Sequence, residues 1–318
     1  LETGVEPRTR IFVAGDRDFV GAALARRLRA AGCDRLIGEG DAAPDLRDAA
    51  AVDAFFARQR PELVFLLGGR SGGIARNQRE GAELMLDNLL VETSVVRAAQ
   101  RHGARKLLYL AAACIYPREC EQPMRPDQLG SGPLEPTSAP YALAKWAGLE
   151  LCRAFARQAG GGFAGAIPAN PFGPGDSIDP DDAHVVGALL RRMHRAKRRG
   201  ETEVVVWGSG LAQRDFLFVD DLADACVFLM ERFDGPDPIN VSAGAHLTIA
   251  EVAERIQKVV GFAGRLRFDR SRPEGAPRKL LDGAPLRRLG WTPRTSLDDA
   301  LAATYRWLLE RDDEVMRG

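Results

Sequence analysis

The stretch Arg10-Ile-Phe-Val-Ala-Gly-Asp-Arg-Asp-Phe-Val-Gly21 decides the fold. The apolar residues 11–14 are typical of a short strand buried on both faces, and the glycines that bound the next seven residues favour a tight turn. Apolar side chains then recur at helical spacing from Val20 to Ala31. A strand, a glycine-bounded turn and a helix in this order predict the opening of a β-α-β unit.

The same alternation continues along the first half of the chain. We expect further buried strands at 35–38, 62–67 and 106–110, separated by helices at 49–58 and 82–102. Short apolar strands that alternate with helices predict a parallel sheet covered on both faces. Because crossovers between parallel strands are right-handed, we predict an α/β fold with a Rossmann-like doubly wound parallel sheet.

The second half of the chain changes character after Pro168, where a stretch rich in proline, glycine and aspartate leads into a basic helix. The elements expected there are a helix at 185–199, a strand at 204–207, a strand and helix within 216–230, a strand at 239–241, and helices at 248–260 and 297–309. We predict a dinucleotide-binding Rossmann domain over 8–170, with a returning segment at about 214–243, and a smaller α/β substrate-binding domain over 171–318.

Composition excludes several classes of function. The chain has 318 residues, of which 45% are hydrophobic and 28% charged, and its 44 basic residues balance its 44 acidic ones. The chain therefore has no net positive charge that would favour binding to nucleic acid or to an anionic membrane. No apolar run approaches the ~20 residues of a membrane span. The five cysteines are scattered, without CxxC pairs or Cys/His metal spacing. We expect a cytoplasmic protein with reduced thiols, no signal peptide and no metal.

The turn at 15–21 is suited to the pyrophosphate of a dinucleotide. Glycines let the backbone approach the phosphates, and the N-terminus of the next helix favours an anion. The residues expected to bind it are Gly15, Arg17, Asp18, Phe19, Val20 and Gly21. A carboxylate at Asp18 is unfavourable there unless it points away or pairs with Arg17. An ordinary turn is the alternative interpretation.

Glu39, after the second strand, bears on the choice of cofactor. An acid at this place accepts hydrogen bonds from a ribose 2′-hydroxyl, which favours NAD, whereas Arg17 could neutralise the 2′-phosphate of NADP. A solvated Glu39 without a binding role is equally compatible with the sequence. The cofactor is therefore written NAD(P).

Tyr141 and Lys145 carry the chemistry. Residues four apart share a helix face, and a lysine ammonium beside a phenol stabilises the phenolate, so that the tyrosine exchanges a proton near neutral pH. This pair is the acid/base apparatus of short-chain dehydrogenases, which move hydride at a hydroxyl or a ketone. Such enzymes usually carry a serine where this chain has Ala111-Ala-Ala-Cys114.

Many further segments, in order, resemble the GDP-L-fucose synthase family of extended short-chain dehydrogenases, from about residue 10 to the C-terminus. They are Gly72-Gly-Ile-Ala-Arg-Asn77, Cys114-Ile-Tyr-Pro117, Gly132-Pro-Leu-Glu-Pro-Thr137, Pro140-Tyr-Ala-Leu-Ala-Lys-Trp-Ala-Gly148, Pro168-Ala-Asn170, Phe172-Gly-Pro174, Ala183-His-Val185, Val204-Val-Val-Trp-Gly-Ser-Gly210, Arg214-Asp-Phe-Leu-Phe-Val-Asp-Asp221 and Pro277-Arg-Lys-Leu-Leu-Asp282.

The resemblance implies a bifunctional reaction. The family takes GDP-4-keto-6-deoxy-D-mannose, epimerises C3 and C5, and reduces the C4 ketone with NADPH. Cys114 resembles the family's base and His184 its acid, and their reference pKa values bracket neutrality. Tyr141 would exchange a proton with the C4 oxygen, while Lys145 would hold the cofactor ribose and lower the pKa of Tyr141. A buried small hydrophobic residue is the alternative role for Cys114.

The resemblance also implies binding residues and a partner. It places Pro168, Asn170 and His184 near the cofactor, and it gives the GDP-hexose the contacts Asn170, Arg192, Trp207, Arg214 and Lys279. Trp207 would stack on guanine and the cations would meet the diphosphate. The alternatives are a core strand position for Trp207 and solvated surface charges for Arg192 and Lys279. A homodimer formed through the helix at 82–102 is expected.

Two departures from the family pattern keep other functions open. The middle glycine of the family's GxxGxxG loop is Asp18, and its first serine before the cysteine is Ala112. Thr137 or a water could replace that hydroxyl, or the C4 step could be slow or dispensable, or the alanine is an engineered or degenerate change. One rival is a GDP-mannose-type 3,5-epimerase that retains NAD without net redox. The other is a catalytically weakened sugar-nucleotide-binding homologue.

Overall fold

A computed structural model describes residues 5–177, 184–272, 275–311 and 315–316. Its strands, in chain order, are β1 Ile11–Ala14, β2 Leu36–Ile37, β3 Leu63–Leu66, β4 Lys106–Leu110, β5 Phe163–Pro168, β6 Asn170–Phe172, β7 Glu203–Trp207, β8 Gln213–Phe218, β9 Ile239–Val241, β10 His246–Thr248, β11 Arg265–Asp269 and β12 Arg278–Lys279.

The α-helices alternate with these strands along the first half of the chain and join the later ones in the second half. They are α1 Phe19–Ala30, α2 Ala49–Gln59, α3 Ile74–Arg79, α4 Gly81–Arg101, α5 Ala139–Ala159, α6 Val185–Arg199, α7 Val219–Arg232, α8 Ile249–Val260, α9 Ala284–Arg288 and α10 Leu297–Leu309.

The main sheet has six parallel strands in the order β2-β1-β3-β4-β5-β9. β1, β3 and β4 are buried along their whole length, as expected for strands covered on both faces. α4 contacts α2 and α5, while α1 contacts α7. The predicted α/β fold with a doubly wound parallel sheet is confirmed.

A second group of elements packs beside this sheet. β8 lies between antiparallel β10 and parallel β12, and β6 also pairs with β8. β7 and β11 form a separate parallel pair, and α8 contacts both α6 and α10. β9 pairs with β5, so a segment from the later half of the chain completes the main sheet. The boundaries of the two predicted domains stay a prediction.

The carboxyl ends of β1, β4 and β5 lie at one edge of the main sheet. This edge is where open parallel sheets bind ligands, because loops diverge there and leave a crevice. The loop at 15–21, the segment Ala111–Cys114 and Asn170 all begin at this edge. Within the described ranges, no helix has both the length and the apolar character that crossing a membrane requires.

Candidate functional site

The loop after β1 requires both of its glycines. Gly15 has φ 104°, and a Cβ placed there would lie 2.6 Å from Gly68 Cα. A Cβ on Gly21 would lie 1.7 Å from the carbonyl oxygen of Gly15, so α1 starts directly against the loop. This close approach leaves the backbone of the loop uncovered by side chains, which is the geometry that suits a dinucleotide pyrophosphate.

Asp18 is the unusual member of this loop. It is the N-cap residue of α1, yet its side chain caps no backbone amide of that helix. A Cβ on Gly15 would meet Asp18 Oδ2 at 2.8 Å, so the carboxyl is turned back over the loop. The desolvation of the carboxyl, together with the neighbouring Asp16, raises the pKa of Asp18 to about 6. A fraction of these carboxyls is therefore protonated near neutral pH.

Arg17 and Glu39 lie at the end of β2. A Cβ on Gly40 would lie 3.2 Å from Arg17 Nη2, and the Gly40 amide donates to Asp16 Oδ2 at 2.9 Å. Glu39 forms an ion pair with Arg29 of α1. A ribose 2′-hydroxyl would therefore compete with Arg29 for the Glu39 carboxylate, while Arg17 is close enough to the same place to meet a phosphate.

Cys114 and Tyr141 face each other across the end of β4. Cys114 lies in a 3₁₀ turn, Ala113–Ile115, that follows β4, and Tyr141 lies in the first turn of α5. Burial raises the pKa of the Cys114 thiol, and the nearby ammonium groups of Lys279 and Lys145 oppose that rise. Burial also raises the pKa of the Tyr141 phenol, helped by the charges of Cys114 and Glu92. The structure thus brings four predicted site residues to one place.

The expectation that Lys145 lowers the pKa of Tyr141 is wrong in this structure. Lys145 Nζ lies 3.1 Å from Glu92 Oε1, and both side chains are buried. Burial is the main cause of the raised pKa of Tyr141, and the Cys114 and Glu92 charges raise it further. Sequence analysis missed Glu92. The only signal for it was an acid on the inward face of α4, between the buried Asn88 and Val95.

His184 precedes α6, and its Nδ1 lies 3.0 Å from Asp176 Oδ1. Asp176 is buried and also accepts a hydrogen bond from the Ser177 amide at 2.8 Å. An imidazole whose Nδ1 donates to a carboxylate is held in one orientation. Asp176 is a second residue that sequence analysis missed. Ala183, part of the motif around His184, lies outside the described residues.

Trp207 stands between two arginines. Its side chain is 50% exposed, so the alternative role as a core strand residue is wrong. The Arg192 guanidinium lies 5.0 Å from the ring centroid and that of Arg272 lies 5.3 Å away. Arg192 Nη1 donates to the Val205 carbonyl at 3.3 Å, and burial lowers its pKa, so it is not a solvated surface charge. Arg272 was not predicted from the sequence.

Arg214 and Lys279 are neighbours on adjacent strands, paired in register between β8 and β12. Arg214 Nη1 donates to the carbonyl oxygens of Gln213 and Ala276, both at 2.8 Å. The charge of the Lys279 ammonium opposes the rise in the pKa of the Cys114 thiol, so this strand pair lies near the end of β4. The assignment of Lys279 to a substrate diphosphate stays a prediction.

Asn170 and Pro168 lie at the end of β5. Asn170 Nδ2 donates to the Asp215 carbonyl at 2.9 Å, and Pro168 is aligned with Val241 of β9. Both residues therefore stand at the edge of the main sheet where the crevice opens. Their assignment to the cofactor or substrate stays a prediction.

The alanine in place of the family's serine is partly exposed. Ala112 precedes the 3₁₀ turn that carries Cys114, and its carbonyl accepts a hydrogen bond from Ile115. Thr137, the candidate substitute hydroxyl, donates to Glu135 Oε1 at 3.3 Å. Glu135 therefore competes with a substrate oxygen for that hydroxyl.

Comparison with known proteins places this arrangement in a family. Residues 11–244 match the NAD dependent epimerase/dehydratase family. The chain belongs to the NAD-dependent epimerase/dehydratase family. The match covers the whole six-stranded sheet, the candidate cofactor loop and the Tyr141–Lys145 pair.

Relatives within this epimerase/dehydratase family extend the similarity to nearly the whole chain. It is 44% identical to GDP-L-fucose synthase 1 of Arabidopsis thaliana over 301 residues, 95% of this chain and 93% of that protein. It is 42% identical to GDP-L-fucose synthase of Escherichia coli strain K12 over 315 residues, 96% of this chain and 98% of that protein.

A solved structure supports the same kinship. The crystal structure of a GDP-L-fucose synthetase from Naegleria fowleri bound to NADP superposes with a TM-score of 0.88, at 26% identity, covering 99% of this chain and 98% of that one. The resemblance to GDP-L-fucose synthases is confirmed. The chain is an enzyme of the NAD-dependent epimerase/dehydratase family.

Proposed function

We propose that this enzyme is an NAD(P)-dependent GDP-sugar epimerase/reductase that acts on a GDP-4-keto-6-deoxy-hexose. The observation that carries the proposal is the cluster of Cys114, Tyr141, Lys145 and Lys279 at the carboxyl end of β4. It occurs in a chain more than 40% identical to curated GDP-L-fucose synthases over at least 95% of its length. A thiol base, a phenol acid and phosphate-binding cations are what epimerisation and ketone reduction of such a sugar require.

Cys114 and His184 perform the proposed epimerisation. Protons at C3 and C5 are acidic because the C4 carbonyl stabilises an enolate. Cys114 removes a proton as the thiolate, which Lys279 and Lys145 help to stabilise against burial. His184, oriented by Asp176, returns a proton to the opposite face. The raised pKa of the thiol makes the rate of proton abstraction increase with pH up to that pKa.

Tyr141 performs the proton transfer of the proposed reduction. When bound, NAD(P)H would supply the hydride that C4 requires. The phenol of Tyr141 donates its proton to the C4 oxygen, and its raised pKa keeps that proton in place beforehand. Lys145 contributes a cation at the cofactor ribose. The uncovered backbone at Gly15 and Gly21 fits the pyrophosphate of such a cofactor.

The cofactor proposed as preferred is NADP(H). The GDP-L-fucose synthetase of Naegleria fowleri binds NADP, and Arg17 lies beside Gly40 at the end of β2. Glu39 favours NAD only if it leaves Arg29. Titration with both reduced cofactors, followed by nicotinamide fluorescence, decides the question. Tighter binding of NADH than of NADPH would overturn the preference.

The GDP moiety is assigned to the later strands. We propose that guanine stacks on the exposed face of Trp207 between Arg192 and Arg272, and that Arg214 and Lys279 meet the diphosphate. Asn170, whose side chain donates to the carbonyl oxygen of Asp215 next to Arg214, is a further proposed contact of the sugar nucleotide.

A homodimer in the cytoplasm completes the proposal. Leu86 and Leu90 lie one turn apart on α4, 58% and 38% exposed, and Leu143 of α5 is 44% exposed. α4 contacts α5, so these side chains belong to a pair of helices that a second copy could cover. The cysteines, all in the described residues, are free, which agrees with a reducing compartment.

Steady-state assay separates this function from its rivals. The purified enzyme is incubated with GDP-4-keto-6-deoxy-D-mannose and NADPH, and nicotinamide absorbance is followed. Stoichiometric NADPH oxidation with an epimerised, reduced sugar is expected. Tightly bound NAD with epimerisation of GDP-mannose and no net oxidation would instead establish the 3,5-epimerase. Binding of the nucleotide sugar without either reaction would establish the binding homologue.

A further inference from the structure

Glu92 is a buried carboxylate in contact with the catalytic lysine. Its Oε1 accepts a hydrogen bond from the Tyr109 hydroxyl at 2.5 Å and lies 3.1 Å from Lys145 Nζ. Lys145 Nζ also lies 4.4 Å from the centroid of the Tyr109 ring. The Tyr109 hydroxyl additionally lies 3.1 Å from the Lys145 carbonyl oxygen. Three elements, β4, α4 and α5, therefore meet at this carboxylate.

The niche around Glu92 depends on a glycine. A Cβ on Gly148 would lie 2.5 Å from Glu92 Oε2 and 2.7 Å from the Tyr109 hydroxyl. α5 thus has no side chain at the position where the α4 carboxylate enters. Among the described residues, Glu92 Oε2 is buried without a hydrogen-bond partner. A buried carboxylate with one unsatisfied oxygen is costly for stability, so its retention points to a role in the site.

We propose that Glu92 is a positioning residue of the reductase site, which holds Lys145 and offsets the effect of its charge on Tyr141, so that Tyr141 remains a proton donor for C4 reduction. The inference rests on the proposed function. It adds that the site is suited to reducing a ketone and not to oxidising a hydroxyl. Without Glu92, Lys145 would present a full positive charge to the phenol and favour phenolate, the form needed for oxidation of a hydroxyl.

The proton balance follows from this arrangement. A bound NAD(P)H would supply the hydride for C4; the O–H bond of Tyr141 would then break and its proton would move to the C4 oxygen, leaving an alcohol and a phenolate. Water returns a proton to the phenolate before the next turnover. Reduction starts from the phenol and oxidation of a hydroxyl starts from the phenolate, so a protonated Tyr141 favours the rate of reduction.

The groups that face this phenol come from three elements. Burial, the Cys114 thiol and the Glu92 carboxylate raise the pKa of Tyr141. Behind Glu92, Tyr109 and Cys152 have raised pKa values, for which burial is the main cause and Glu92 the next. The titratable groups of the cluster are therefore Cys114, Tyr109, Glu92, Tyr141, Lys145 and Cys152. The charge of Lys279 also acts on the Cys114 thiol.

Direct titration of Tyr141 tests the inference without substrate. The chain has only four tyrosines, so ¹³Cζ-tyrosine NMR resolves them, and Tyr141→Phe assigns the signal. In wild type, the Tyr141 signal should not titrate up to about pH 10, the ordinary value for tyrosine. In Glu92→Gln it should begin to titrate below about pH 10, where the wild-type signal stays constant, because the unpaired Lys145 ammonium, one helical turn from Tyr141, favours the phenolate. An unchanged Tyr141 titration would overturn the inference.

Two controls separate charge from packing. Glu83→Gln removes an exposed carboxylate from the same helix and should leave the Tyr141 titration at its wild-type position. Glu92→Asp retains the charge but withdraws it from Lys145, and should give a smaller downward shift. If Glu92→Gln does not fold, Glu92→Asp carries the test, and a wild-type titration in that variant counts against the inference.

Turnover then distinguishes failure of this inference from failure of the proposed function. The rate of C4 reduction in Glu92→Gln should fall on the alkaline side at lower pH than in wild type. A shifted NMR titration without reduction of any GDP-4-keto sugar, even by wild type, would refute the function and leave the electrostatic role standing. Reduction with the same alkaline limit in both proteins would refute the role and leave the function standing.

Discussion

Ala112 lacks a hydroxyl that would assist the proposed reduction at C4. A hydroxyl at this position would donate to the C4 oxygen beside Tyr141, and one such donor contributes ~2.7–4 kcal/mol to the barrier, or roughly 10²–10³ in rate. Ala112→Ser should therefore raise the rate of C4 reduction by about 10²-fold, measured by NADPH oxidation in single turnovers. Deuterium exchange at C3 and C5 should not change, because it depends on Cys114 and His184. An unchanged rate of reduction would mean that another donor already occupies the place.

Asp18 should make cofactor binding depend on pH. Its carboxyl, with a pKa of about 6, is largely ionised at pH 8 and largely protonated at pH 5. The ionised form repels a pyrophosphate, so the affinity for NADPH should fall as pH rises from 5 to 8, and calorimetry measures this. Asp18→Asn should remove that dependence, whereas the exposed Asp34→Asn should keep it. A wild-type affinity that does not change with pH would count against the placement of the loop.

Residues of the site differ in how far the sequence predicts them. Tyr141, Lys145, Cys114 and the glycines of the first loop are predictable because each lies in a local motif. Glu92 is 53 positions from Lys145, and only the packing of α4 on α5 brings them together. Local patterns contain no information on such a pair. The sequence predicts a lowered pKa for Tyr141, and only the structure shows that this pKa is raised.

Among the elements, those with strong periodicity were predicted best. The helices at 185–199 and 297–309 were predicted at their observed bounds, because their apolar residues recur at spacings of three and four positions. β5 contains Gly165 and Pro168, and β12 is the dipeptide Arg278–Lys279, so neither has the composition of a strand. The helix predicted over 82–102 begins at Gly81, and α3 before it was not predicted. Tertiary pairing decides these elements.

Asp215 of β8 should make the stability of the fold depend on pH. The carboxyl is fully buried and accepts a hydrogen bond from Ser242 at 2.5 Å, and burial raises its pKa to about 7. The folded state therefore retains a proton that the unfolded chain loses between about pH 4 and pH 7. Its contribution to the free energy of unfolding is present below pH 4 and disappears as pH rises to 7.

Urea denaturation measures this effect. From pH 5 to pH 8, wild type should lose roughly 3 kcal/mol of stability relative to Asp215→Asn, which has no proton to lose at this position. The exposed Asp34→Asn serves as the control and should follow wild type. Parallel pH profiles for wild type and Asp215→Asn would contradict the assigned pKa direction.

For the whole molecule, the exposed leucines of α4 bear on assembly. A charge in the centre of an apolar interface is costly to bury, so Leu86→Glu should convert the proposed dimer to a monomer, with the mass halved in sedimentation equilibrium. Leu309→Glu, at a leucine 44% exposed on the end of α10, should leave the assembly unchanged. A wild-type monomer at micromolar concentration would show that α4 has no such partner.

The crevice combines elements from both halves of the chain. β1, β4 and β5 deliver the cofactor loop, Cys114 and Asn170 to one edge, and β8 and β12 bring Arg214 and Lys279 beside them. The parallel, doubly wound class of the main sheet was predictable from alternating strands and helices. The pairing of the short later strands was not. The juxtaposition of the residues proposed for reduction and for nucleotide-sugar binding follows from that pairing.

The central claim, that one site performs both epimerisation and reduction, is tested most directly by isotope exchange in D₂O. The enzyme is given GDP-4-keto-6-deoxy-D-mannose and NADPH, and the product is analysed by NMR for deuterium and for the configuration at each carbon. Deuterium is expected at C3 and C5 of an epimerised C4 alcohol, and no exchange is expected with Cys114→Ser. A reduced product without deuterium at C3 and C5, or no exchange and no reduction by wild type, would contradict it.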